Sequence, residues 1–217
     1  MIVASILLAF AVDAGWENRV EKTRLDATFE QLLVQWRVNR TELTGAINTN
    51  ERIVGRMQTF LSASPATVLE MPLDSLVGIG VAMTASSFYG QEGGTVESFV
   101  ASGDLALIHE PFLRGRLGTW STLPRELDKE ATSVRATDRP IRGVMAQHGV
   151  LAALLASTDG QNIPGAQDLN RALADMRGSQ VAMDHVASRI ATIRWYIGRL
   201  EAATRFFDLL NRSLQSR

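Results

Sequence analysis

The chain has 217 residues, 46% of them hydrophobic and 21% charged, which suits a globular domain and rules out fibrous or disordered classes. Twenty-two basic against twenty-three acidic residues leave a formal charge of −1, so there is no basic excess to hold a nucleic-acid backbone. The lack of cysteine excludes disulfides, zinc–thiolate and iron–sulfur sites and a cysteine nucleophile, while fitting either redox compartment.

Ile2 to Val12 is an uncharged apolar run. As a helix it would be about 16 Å long against a hydrocarbon core of roughly 30 Å, too short to cross alone. No basic residue precedes it and no small-residue cleavage site follows, which argues against a signal peptide. Trp16 stands where an interfacial anchor would stand, and the charged stretch Glu17, Arg19, Glu21, Lys22, Arg24 and Asp26 follows like an exit into water. Residues 1–16 therefore read as a partial transmembrane segment and 17–217 as a helical bundle domain. The buried end of a core helix is the alternative.

From Leu25 the apolar residues Phe29, Leu32, Trp36, Leu43, Ile47, Val54, Met57 and Leu61 recur at steps of three, four or seven, and no proline interrupts Asp13 to Ser64. This is one face of a long helix. Asn39 and Asn50 fall on or beside that face, either fixing register within a seam or sitting at a wet edge, and the second reading is favoured. Ser62 to Met71 carries turn chemistry around Pro65, and Pro72 opens a short helix through Met83 that Gly78 and Gly80 weaken. Ser86 to Gly94 reads as a loop, without the ending of a phosphate loop.

A short helix is expected from Thr95 to Ala101, stopped at Ser102-Gly103, and another from Pro111 that ends before Pro124. Asp138 and Pro140 open a helix running through Leu155 to the stop at Thr158-Asp159-Gly160, and a short helix follows Pro164. Val186, Ile190, Ile193, Ile197, Leu200, Phe207 and Leu214 then form the clearest heptad stripe, with Thr204 and Asn211 in its polar gaps. The arginines of this last helix, Arg189 among them, alternate with acids and read as a solvated face. Of Trp195 and Tyr196, one ring should be partly exposed. With no valine-rich alternating strands, the expected fold is all-α: an elongated helical bundle with two long coiled-coil-like helices and several short middle helices.

The segment Leu7-Leu8-Ala9-Phe10-Ala11-Val12-Asp13-Ala14-Gly15-Trp16-Glu17, the charged stretch after it, and Asn39-Arg40-Thr41-Glu42-Leu43 on a long helix resemble an uncharacterised family of bacterial single-span inner-membrane proteins. Ala101-Ser102-Gly103-Asp104-Leu105-Ala106-Leu107-Ile108 with Glu110-Pro111-Phe112-Leu113-Arg114 is similar to a second family segment. The resemblance covers residues 7 to about 120. It implies an anchor and a helical domain outside the inner membrane, in the periplasm, and brings no known activity. The family's basic segment and the first half of its span have no counterpart here, so a truncated fragment or an internal start is expected.

His109, His148 and His185 have no metal-ligand spacing, and neither a Gly-x-Ser-x-Gly elbow nor a Ser-x-x-Lys motif occurs. No catalytic residue, metal or cofactor is expected, and the chain reads as a non-enzyme. Its function is expected to be protein–protein contact or self-association from a membrane anchor, with the lipid bilayer, a second copy or another protein as partners and no nucleic acid. The alternative is a small-ligand sensing domain with a pocket near Tyr89, Phe99, His109 and Trp120 between the short middle helices.

Overall fold

The structure is a computed structural model that describes residues 2–90, 95–159 and 168–215; within these, the side chains of residues 2–14, 17, 18, 95 and 159 are not described. The protein is an all-α helical bundle with two long helices, and no strand occurs among the described residues. In chain order the helices are α1 (Ile2–Ser62), α2 (Pro65–Leu69), α3 (Leu73–Thr84), α4 (Thr95–Ala101), a 3-10 turn (Asp104–Leu107), α5 (Pro111–Ala136), α6 (Asp138–Gln147), α7 (Val150–Asp159), α8 (Leu169–Gly178) and α9 (Gln180–Gln215). They fall into two compact units. The first contains residues 1–41, 91–124 and 205–217, the second 42–90 and 125–204. No helix among the described residues is long and apolar enough to cross a membrane. The side chains of the Ile2–Val12 run and the expected helix after Pro164 lie outside the described residues.

The first unit is organised around aromatic packing. Trp120 of α5 is fully buried, edge-on to Phe207 of α9 with ring centroids 5.0 Å apart. Trp36 of α1 donates its indole N–H to the Phe207 carbonyl at 2.9 Å. The predicted stop after α4 is present: Gly103 adopts φ +80°, a left-handed conformation that costs glycine little, and the 3-10 turn starts from it.

In the second unit α2 and α7 pack on α8, α3 packs on α6, α7 and α8, and α6 packs on α7. Arg177 of α8 donates to the carbonyls of Leu61 and Ala63, satisfying acceptors that the end of α1 leaves without helical partners. The glycines that weaken α3 allow close approach. A Cβ on Gly80 would meet Leu154 of α7 at 3.1 Å.

Four local expectations are corrected. Pro124 does not end α5, because the buried line Leu113, Leu117 and Trp120 resumes in phase, seven residues on, at Leu127, Ala131 and Val134. Burying those side chains at about 1.5–3 kcal/mol for each large one outweighs the roughly 3 kcal/mol of an internal proline. The helix opened by Asp138 does not run through Leu155: it breaks at His148-Gly149, where Gly149 takes φ +71°, giving α6 and α7. Pro65 is the first residue of α2, which Ser64 caps by accepting a hydrogen bond from the Thr67 N–H, and is no mere turn. Finally, the long stripes admit the polar residues Asn39, Asn50 and Arg189.

Candidate functional site

The buried line of α9 runs Ala182, Val186, Arg189, Ile193, Tyr196, Leu200, Ala203, Phe207, Leu210 and Leu214, alternating steps of four and three. Arg189 and Tyr196 occupy regular positions in it, 0% and 1% exposed, so the solvated-face reading of Arg189 is corrected. On α1, Asn39 and Asn50 are likewise 0% and 1% exposed, which corrects the wet-edge reading. Helix phase explains both errors. The sequence gives the spacing, but only the neighbours decide how wide an arc is covered.

In the second unit these polar groups converge on the non-helical segment after α3. Asn50 accepts a hydrogen bond from the Ser87 N–H at 3.1 Å and donates to its carbonyl at 2.7 Å. Arg189 donates to the Ala85 carbonyl at 2.9 Å and to Ser86 Oγ at 3.1 Å, and pairs with Asp138 at 2.5 Å and Thr137 Oγ1 at 2.6 Å. Tyr196 Oη accepts the Tyr89 N–H at 3.0 Å. The Phe88 ring lies 5.9 Å from the Tyr196 ring and 4.4 Å below the Arg135 guanidinium. Burial pushes the Tyr196 phenol above its ordinary value, against the smaller opposing effects of the Tyr89 hydrogen bond and Arg135. The buried polar side chains thus hold a non-helical stretch of backbone, bonding the Ala85 carbonyl, both Ser87 backbone groups and the Tyr89 N–H.

The four residues expected to line a pocket fall in both units. Tyr89 belongs to the second unit, held through its backbone by Tyr196. Phe99, His109 and Trp120 belong to the first. Phe99 is buried beside a hollow lined by Arg24, Thr28, Gln31, Ser98, Ser102 and Asp104, where Arg24 already pairs with Asp104 at 2.6 Å. His109 is exposed and lines a different hollow with Glu21, Lys22, Asp26 and Glu110. Trp120 is core. Trp195 is the exposed ring of its pair, donating to Glu130 at 2.9 Å, and Tyr196 the buried one. His148 pairs with Asp175 at 2.6 Å, apart from the other imidazoles. No group of three metal-ligating side chains is arranged for an ion among the described residues.

What the sequence reading missed is a second apolar line on α1. Trp16, Val20, Val34 and Val38 are between 41% and 68% exposed, and Ala27 is exposed between them. At about 100° per residue these five positions share an arc of roughly 40°, facing away from half-buried Leu25 and buried Leu32 and Leu43. Steps of four and seven separate its members, a signal the sequence carried but the stronger core stripe masked. Arg19, Arg24, Glu30 and Arg37 flank it with both signs of charge. Comparison with protein-family models, with curated proteins and with solved structures returns no match.

Proposed function

We propose that this protein is a membrane-tethered helical module of the bacterial envelope that acts by protein–protein contact, chiefly by pairing with a second copy along the outward face of α1. The carrying observation is the exposed line Trp16, Val20, Ala27, Val34 and Val38 on one unbroken helix that begins at the apolar run. An exposed apolar line rimmed by charge is the kind of surface that association covers. Tethered copies present α1 in the same direction from one surface, so a parallel pair brings Val20, Ala27 and Val34, seven residues apart, opposite their own counterparts. Tethering supports the pairing energetically, because confinement to a surface raises the effective concentration of the second copy. Small-ligand sensing by Tyr89, Phe99, His109 and Trp120 has less support, since they are divided between separate hollows and the core.

The natural lack of cysteine makes the test clean. In membranes from cells expressing the natural gene, Val20→Cys, Ala27→Cys and Val34→Cys should each form a disulfide-linked dimer on mild oxidation, and the exposed Lys22→Cys should not. Cross-linking at Ala27→Cys alone would indicate an antiparallel pair and overturn the parallel arrangement. No cross-link at any of the three would overturn self-pairing. Recovery of the chain in the soluble fraction after carbonate extraction would overturn the tether.

A further inference from the structure

A hollow of about 400 Å³ in the second unit lies between the last turns of α1 and the start of α3, lined by Arg56, Thr59, Met71, Asp74, Ser75, Gly78 and Ile79. Its geometry begins with a glycine. A Cβ on Gly78 would stand 3.3 Å from the Arg56 guanidinium carbon and 3.4 Å from its Nε, so the planar cation lies against bare helix backbone and a methyl there would push it outward by a few tenths of an ångström. Arg56, Asp74 and Ser75 are solvent-exposed around this hollow, and among the described residues neither the guanidinium, the carboxylate nor the hydroxyl forms an ion pair, hydrogen bond or ring contact. Arg24 and Arg40, by contrast, pair with Asp104 and Asp208. Here one cation, one anion and one hydroxyl border the same hollow without neutralising one another, and Met71 and Ile79 supply apolar wall.

We infer that this hollow binds a small zwitterion with an aliphatic side chain, of the free α-amino acid class. The Arg56 guanidinium takes the ligand carboxylate, for which its planar fork is suited, and Asp74 takes the ammonium. Ser75 donates a further hydrogen bond to the carboxylate, while Thr59, whose hydroxyl proton is already given to the Gly55 carbonyl, offers a lone pair. Met71 and Ile79 cover the side chain. The volume suits a small molecule, and the opposed charges reject simple anions and simple cations alike. The inference does not depend on the tethered-contact reading, since it concerns the second unit and needs neither membrane nor second copy.

L-Leucine is the probe, measured by equilibrium dialysis against the full-length chain, with isocaproate and isoamylamine as the same skeleton lacking the ammonium or the carboxylate. Saturable leucine binding is expected, with each single-charge analogue at least about tenfold weaker, the loss of one charge-assisted hydrogen-bonded pair. Arg56→Gln and Asp74→Asn should each weaken leucine by a similar factor. Gly78→Ala is the sharper variant, because alanine favours the helix while its methyl displaces the guanidinium. Its melting temperature should hold or rise while leucine affinity falls. Absence of saturable leucine binding, equal binding of the analogues, or unchanged affinity in both Arg56→Gln and Gly78→Ala would each overturn the site.

Discussion

Asn39 and Asn50 lie on the same buried line of α1, one in each unit, and both are shielded from solvent. Asn50 exchanges two hydrogen bonds with the Ser87 backbone. Neither the oxygen nor the nitrogen of the Asn39 amide has a hydrogen-bond partner among the described residues. The two units therefore use polar residues in an apolar seam differently. In the second, Asn50, Arg189 and Tyr196 replace the missing secondary-structure partners of an extended segment. In the first, the seam is closed by Trp36, Trp120 and Phe207 around a helix carbonyl, and Asn39 makes no bond that offsets its dehydration. Identical side chains at equivalent positions have opposite energetic signs according to what faces them.

The largest effect expected from this contrast is at Arg189. Arg189→Ala leaves the Asp138 carboxylate without its buried partner and the Ala85 carbonyl without its donor, at a cost of about 3–5 kcal/mol by urea unfolding. A loss below about 1 kcal/mol, the scale of one ordinary hydrogen bond, would mean that the segment does not depend on the clamp. The asparagine pair sharpens the comparison directly. Asn50→Leu strips two bonds and should cost about 2 kcal/mol, whereas Asn39→Leu removes an unbonded amide and should stabilise the fold by about 1 kcal/mol. Equal shifts of the two denaturation midpoints would abolish the distinction.

The smallest effects concern backbone in the first unit. Gly103→Val forces a β-branched residue into a left-handed conformation and should cost about 1–2 kcal/mol. Gly115→Ala, inside α5 with open space around the new methyl, should gain up to about 1 kcal/mol. Opposite signs at the two glycines identify conformation as the cause. A loss at both would point to general intolerance of bulk in that unit.

Gly103 was legible because the stop follows a short apolar-periodic helix, and Pro111 because proline favours a first turn; both boundaries of α4 and the start of α5 fall where the residues put them. Gly149 was not legible. It sits within a continuous apolar pattern from Ile141 to Leu155, and its left-handed conformation turns the chain from α6 into α7, which packs back on α6 in the second unit. The hollow at Arg56 was equally hidden, since Arg56 and Gly78 are far apart in sequence and Gly78 reads there only as a weak point of its helix. The face of α1 with Trp16, Val20, Val34 and Val38 was present in the spacing, yet only the observed exposure tells a surface line from a second core line.

The sequence by itself determined the all-α class, the two long helices and most of the apolar positions that they bury, because the 3.6-residue period and the cap residues are local properties of the chain. The tertiary structure decided the fate of the residues whose energetics depend on distant partners. Pro124 stays within a helix because Trp120 before it and Leu127 after it are buried on one face. Arg189 and Asn50 enter the seam because the segment Ala85–Tyr89 supplies acceptors and donors that no reading of α1 or α9 alone contains. A buried polar group is stable only when its partner is in place, and that partner lies elsewhere in the chain.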